Sequence, residues 1–104
     1  MHLQLNPAQG VALSDALETH IRQQLESVER RFGDRLTRLE VYMSDVNGPK
    51  GGINKLCKLE ARPSGGDPLF AEALGETAYE AVTTAVKRLE SVLGSHFGKL
   101  DRRG

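Results

Sequence analysis

Tryptophan is absent from this 104-residue sequence, cysteine occurs once, and the formal net charge is zero. Each scarcity excludes something. A lone Cys57 cannot form an internal disulfide, whereas small secreted domains carry several, so the expectation is a reducing, cytoplasmic compartment. The start, Met-His-Leu-Gln-Leu-Asn-Pro, has neither a cationic region nor a long apolar run, which reads against a signal peptide. No stretch approaches the roughly 18 apolar residues of a membrane span, so no membrane partner is expected. Lys plus Arg and Asp plus Glu total 14 each, which argues against a simple basic nucleic-acid binder. His2, His20 and His96 are scattered, with no metal-ligand spacing, so no metal is expected. No repeat of about 20 to 50 residues and no low-complexity tract occurs.

What is present is a globular balance. Hydrophobic residues make up 38% and charged residues 27% of the chain. The length suits one domain over residues 1–104, with a two-layer core. Residues 2–6 alternate, with Leu3 and Leu5 on one face of a strand, and Pro7 and Gly10 break it. Ser14 is a good helix N-cap and Asp15 favours the positive end of a helix. Leu17, Ile21, Leu25, Val28 and Phe32 then make a helical stripe closing at Gly33. Leu39, Val41 and Met43 alternate with Arg38, Glu40, Tyr42 and Ser44, as a half-buried strand does. The run Asp45 to Gly52 reads as a turn. Cys57, Leu59 and Ala61 then line a third strand, and Pro63 to Pro68 forms a second turn. Leu69 to Leu74 is a fourth strand. Glu76 or Thr77 opens a last helix with the stripe Ala78, Val82, Ala85, Val86, Leu89, Leu93, continued by Phe97 and Leu100.

The order β-α-β-β-β-α predicts an α+β two-layer sandwich. A four-stranded mixed sheet carries two helices on one face, and its first βαβ unit is a parallel, right-handed crossover. Two helices with one apolar stripe each cover only one face of four strands. The opposite face, with Tyr42, Lys58 and Arg62, should be largely solvated.

Zero net charge conceals an uneven distribution. Residues 47–62 carry +3, residues 63–95 carry −3 and residues 96–104 carry +2. Basic side chains concentrate in one turn and strand, in the C-terminal tail, and in the pair Arg30–Arg31 that closes the first helix. The plain explanation is solvated side chains, with Arg30 and Arg31 complementing the helix dipole. The alternative is a partner of opposite charge.

No constellation assembles a catalytic site, so no enzyme activity, cofactor or small-molecule substrate is expected. The glycine-rich turn with Lys50 lacks phosphate-loop spacing and no helix follows it. Cys57 lies on the apolar face of a strand, as a small buried hydrophobe does. Glu26 and Glu29 stand among arginines, as surface ion pairs do.

Two stretches resemble one family. The run from Ser44 through Lys50 and Lys55 to Glu60 looks like the strand–turn–strand signature of the ribosome hibernation-promoting factors, also called ribosome-associated inhibitors or sigma-54 modulation proteins. Ala78-Tyr79-Glu80-Ala81-Val82, followed by Ala85-Val86-Lys87-Arg88-Leu89, is similar to the start of that family's last helix. The resemblance covers essentially the whole chain. It implies a fold like that of double-stranded-RNA-binding domains. It also implies docking on ribosomal RNA of the small subunit, between head and body, over the tRNA and mRNA sites, with no reaction, no cofactor and no DNA. That is a stress-linked translation inhibitor. The family's basic helix positions correspond here to Arg22, Arg30, Lys87 and Arg88. Arg31 stands beside them. The turn contributes Lys50, the third strand Lys55 and Lys58, and the tail Lys99, Arg102 and Arg103. Ser27, Ser91, Ser95 and His96 stand where basic residues are common. Long family members add a dimerising domain, and a chain of this short type is not expected to pair ribosomes by that route.

The expected basic surface joins the helix ends to the Lys50 turn. Two rival functions stay open beside the ribosomal one. The first is an off-ribosome binder of structured RNA. The second is a small phosphatase of the acyl-phosphate type on a related sandwich, which would need both an arginine-lined phosphate loop and a positioned water-binding residue, and the sequence does not assemble the two together.

Overall fold

The computed structural model describes residues 1–7, 13–46 and 55–103, with only the backbone of Arg103. In order come β1 (His2–Pro7), α1 (Asp15–Phe32), one turn of 3-10 helix (Gly33–Arg35), β2 (Leu36–Asp45), β3 (Lys55–Pro63), β4 (Leu69–Gly75) and α2 (Ala78–Arg103). The β-α-β-β-β-α order and the α+β class are those expected from the residue pattern. Lys50 and most of its turn, residues 47–54, lie outside the described residues.

Each helix starts where its sequence caps it. Ser14 Oγ accepts a hydrogen bond from the Leu17 amide at 3.1 Å. Thr77 Oγ1 accepts from the Glu80 amide at 3.1 Å, while the Glu80 carboxylate accepts from the Glu76 amide at 3.2 Å. Such caps satisfy amides with no partner inside the helix, at about 1 kcal/mol each. Gly33 caps α1 in the right-handed conformation, φ −54°, so the chain tightens into the 3-10 turn instead of reversing there. Glycine is required elsewhere. Gly65 and Gly66 hold φ +85° and +113° in the β3–β4 turn. At Gly75 a Cβ would stand 2.7 Å from the Ala81 nitrogen, so the end of β4 can pass under the start of α2 only without a side chain.

The sheet order is β1-β2-β3-β4. β1 runs parallel to β2, with Leu3 beside Leu39 and Leu5 beside Val41. The other pairs are antiparallel and place Val41 opposite Leu59, and Leu59 opposite Ala71. The period-two pattern thus puts Leu39, Val41, Met43, Cys57, Leu59, Ala61, Ala71 and Ala73 on one face. There they meet the stripes of α1 and α2 in a single core cluster. Fully burying each large aliphatic side chain contributes roughly 1.5–3 kcal/mol. The α2 stripe ends one residue early, because Phe97 is buried but Leu100 is 44% exposed. With 26 residues α2 is about 39 Å long, so its last turns run past the strands it covers.

The uncovered face is exposed at the residues expected to be solvated, Tyr42, Lys58 and Arg62, but not throughout. Tyr42 is exposed, but Glu40 and Glu60 are each only 8% exposed. They sit directly opposite each other on the two central strands. Longer neighbours roof them: Arg62 lies 3.9 Å from Glu40 and 3.4 Å from Glu60, and Arg38 lies 3.7 Å from Glu40. Arg38 also donates to Gln4 of β1.

Candidate nucleic-acid interface

Topology decides where the cations gather. β1 and β2 are parallel, so α1 must run back along the sheet to connect them. β4 runs with β2, so α2 runs back as well. The two helices are therefore parallel, and successive contacts confirm it. His20 Nε2 lies 3.2 Å from the Tyr79 carbonyl and 3.1 Å from Thr83 Oγ1. Ser27 donates to Glu90 at 3.1 Å, and Arg31 pairs with the same carboxylate at 3.2 Å. Arg35 pairs with Asp101 at 3.0 Å. Both helix C-termini thus lie at one end of the molecule, and Arg30, Arg31, Arg35, Lys99 and Arg102 stand there together. Two helix C-termini side by side concentrate negative partial charge, which these cations complement.

The side chains at this end are held in place. Phe32 and Phe97 stack with centroids 5.8 Å apart. The Arg31 guanidinium lies 4.8 Å from the Phe32 ring and that of Arg35 4.2 Å from the Phe97 ring. Each guanidinium is thereby fixed by an aromatic face and a carboxylate. An open groove between the helices is lined by Arg31, Glu90, Ser91, Gly94, Ser95 and Arg102. Ser91, Gly94 and Ser95 are short, so they keep this groove open where longer side chains would fill it. Guanidinium and hydroxyl donors along such a groove suit phosphate oxygens. Sequence reasoning passed over Arg35. Its only signal was its place three residues beyond the first helix, close to Arg30 and Arg31.

The remaining expected residues are spread elsewhere. Arg22 pairs with Glu18 one helical turn away at 3.0 Å, in solvent. Lys87 is exposed on α2. Arg88 donates to the Glu72 carbonyl on β4 at 2.9 Å, which ties the helix to the edge strand. Lys55 pairs with Asp45 at 2.6 Å at the opposite end of the sheet from the helix C-termini. Lys58 lies on the uncovered face, 5.2 Å from the Phe70 ring centroid. Among the described residues the cations therefore do not form one surface. The fold separates the helix-end group from Lys55 and Lys58, because β3 begins where both helices begin.

Catalytic groups do not converge at any of these places. Burial pushes the Cys57 thiol up to about 12. The Tyr42 phenol is raised, by desolvation first and then by the neighbouring Glu40 carboxylate. Among the described residues no three His, Cys, Asp or Glu side chains come together as a metal would need, and no helix is long and apolar enough to cross a membrane.

Comparisons with known proteins agree with the fold. A family model described as sigma 54 modulation protein / S30EA ribosomal protein matches residues 8–101. A structure described as a ribosomal subunit interface protein from Coxiella burnetii is similar with a TM-score of 0.73 and 22% identity, covering 94% of this chain and 99% of that one. The N-terminal domain of Protein Y from Thermus thermophilus is similar with a TM-score of 0.69 and 23% identity, covering 88% of this chain and 93% of that one. At these identities the two structures speak for the fold alone. No curated protein matches the sequence.

Proposed function

The chain belongs to the sigma 54 modulation protein / S30EA ribosomal protein family, and from that premise we propose that it binds the ribosome and keeps it idle. The observation that carries this reading is the family match over residues 8–101. Its site is the small subunit, between head and body, where the protein occupies the space of tRNA and mRNA. Inhibition is steric: nothing is made or broken, and no cofactor takes part. The working place is the cytoplasm and the occasion is stress, with a single domain sufficient for binding.

The helix pair gives this function a surface. Ribosomal RNA is contacted through its phosphates and its shape rather than its base edges. Arg30, Arg31, Lys87, Lys99 and Arg102 supply the cations, with Ser91 and Ser95 as neutral donors beside them. Lys55 and Lys58 stand apart from this surface, at the far end of the sheet and on its uncovered face. Arg22 contributes at the margin.

Zero net charge is therefore no bar to an RNA partner. A balanced total with a cationic helix end permits binding to RNA and makes it sensitive to salt. Co-sedimentation with purified small and large subunits tests the proposal. Migration with the small subunit alone is expected, and absence from the small-subunit peak at low salt overturns it. A shift assay on isolated duplex RNA separates the off-ribosome alternative, since poor binding there is expected.

A further inference from the structure

The helices leave the other face of the sheet uncovered, and the proposed ribosome contact makes no use of it. Register sets Tyr42 beside Lys58, Lys58 beside Glu72, and Glu60 beside Phe70. Tyr42 and Phe70 are 37% and 50% exposed, two aromatic residues on the open side of one small sheet. A hollow of about 340 Å³ is lined by Tyr42, Ser44, Leu56, Lys58, Glu60 and Phe70, and a second of about 440 Å³ by Lys58, Phe70, Ala71 and Glu72. Phe70 therefore borders both. The Lys58 ammonium stands over one face of its ring, 5.2 Å from the centroid, and the residue is still half exposed. The charges lie in two layers. The Glu40 and Glu60 side chains are each 11% exposed, beneath Arg38 at 41% and Arg62 at 50%. A partner touching the face thus meets N–H groups of Arg38, Lys58 and Arg62, with Glu72 as the exposed carboxylate beside them.

These features select an occupant. In a duplex the bases stack on one another, so exposed rings have no base face to take. Two copies of the face would set cation against cation at contact. An apolar protein surface would need a continuous patch, whereas Lys58 and Glu60 stand between Tyr42 and Phe70. An unpaired RNA strand offers both chemistries the face can meet. Its bases stack on aromatic rings, and its phosphates accept hydrogen bonds from guanidinium and ammonium groups. We infer that the uncovered sheet face is a stacking platform for unpaired RNA, with one base on Phe70, another on Tyr42, and the backbone along Lys58 and Arg62. The platform is separate from the helix-end surface and independent of the proposed ribosome contact. Glu40 and Glu60 beneath the arginines cancel much of the long-range field, so stacking carries the affinity and binding is weak.

Fluorescence anisotropy of a labelled uridine oligonucleotide of about eight nucleotides, titrated with the full chain to about 1 mM without ribosomes, reads the outcome. A Kd on the order of 100 μM is expected. The salt slope should be about 1, from one or two phosphates at roughly 0.7 each. Phe70→Leu keeps an apolar side chain and removes the ring, so it should weaken binding about tenfold, and Tyr42→Leu should do the same. Phe70→Trp should retain binding. The same strand annealed to its complement should bind at least about tenfold more weakly. Should a ring variant fail to fold by circular dichroism, Lys58→Ala carries the test, with the slope falling by roughly 0.7. No binding at the highest concentration overturns the inference. So does binding indifferent to these variants. Binding that survives Phe70→Leu but is lost on replacing Arg31 and Arg102 by alanine overturns it in favour of the helix ends. A concentration-dependent dimer that Phe70→Leu abolishes overturns it in favour of a contact between copies. Failure here leaves ribosome co-sedimentation untouched, and failure there leaves oligonucleotide binding untouched.

Discussion

Replacing Arg31 and Arg102 by alanine removes two cations from the groove at the helix C-termini. The stability loss should be small. The Arg31–Glu90 pair is 3.2 Å long with Arg31 57% exposed, so solvent screens it to at most about 1 kcal/mol. The contact with the Phe32 ring adds about 0.5–1 kcal/mol at such an exposed place. Binding should suffer in a different way. Each phosphate neutralised contributes roughly 0.9 to the slope of log affinity against log salt. A fourfold rise in salt, from about 50 to about 200 mM, therefore weakens binding by about 3.5-fold per contact. The double variant should have a slope shallower by nearly two, so its disadvantage shrinks about twelvefold over that range. Lys55→Ala is the control. It breaks the 2.6 Å pair with Asp45 at the far end of the sheet, costing about 1 kcal/mol of stability, and should leave the slope unchanged. The assay is ribosome co-sedimentation across a salt series, with thermal unfolding alongside. Equal slopes for wild type and the double variant, or a slope lowered as much by Lys55→Ala, would refute the placement of the interface.

Removing Lys87 and Arg88 together should flatten the salt dependence by about one rather than two, because Arg88 is held on the Glu72 carbonyl; chemical denaturation should show a loss of about 1 kcal/mol from that lost tie. Gly75→Ala should lower stability by about 1–3 kcal/mol, since its Cβ would stand 2.7 Å from the Ala81 nitrogen, and an unchanged melting temperature would contradict the close packing described. Gly94→Ala meets open space and should raise stability by up to about 1 kcal/mol while narrowing the groove and weakening ribosome binding. Cys57, raised to about 12, should resist alkylation near pH 8 unless the chain opens, with a rate that follows denaturant concentration. Its folded pKa lies above the ordinary thiol value. Its contribution is therefore intact below about pH 9 and lost as pH rises towards 12, which unfolding curves across that window can check.

The architecture was readable because its signals are local. Leu39, Val41 and Met43 announce a strand by period two, Leu17 to Phe32 announce a helix by steps of three and four, and Ser14 and Thr77 mark the starts. The burial of Glu40 and Glu60 was not readable. It depends on the cross-strand register that sets two glutamates side by side beneath two arginines. The grouping of basic residues also failed to appear in one dimension. Lys55 and Arg102 both count towards a basic balance, yet parallel helices send Arg102 to one end and leave Lys55 at the other. Arg35 escaped notice because its value comes from Asp101 and Phe97, more than sixty residues away. Arg88 reads as a free cation in the sequence and becomes a tie between α2 and β4 only once the sheet edge is in place.

Occupation of the tRNA and mRNA channel of the small subunit is the proposed means by which this protein would idle the ribosome. It is tested most directly by adding the full chain to purified small subunits, at about 50 mM salt, with and without prebound tRNA and mRNA. Stoichiometric co-sedimentation with empty subunits, exclusion by the bound RNAs, and release as salt rises to about 200 mM are expected. Co-sedimentation that is indifferent to bound tRNA and mRNA would contradict it.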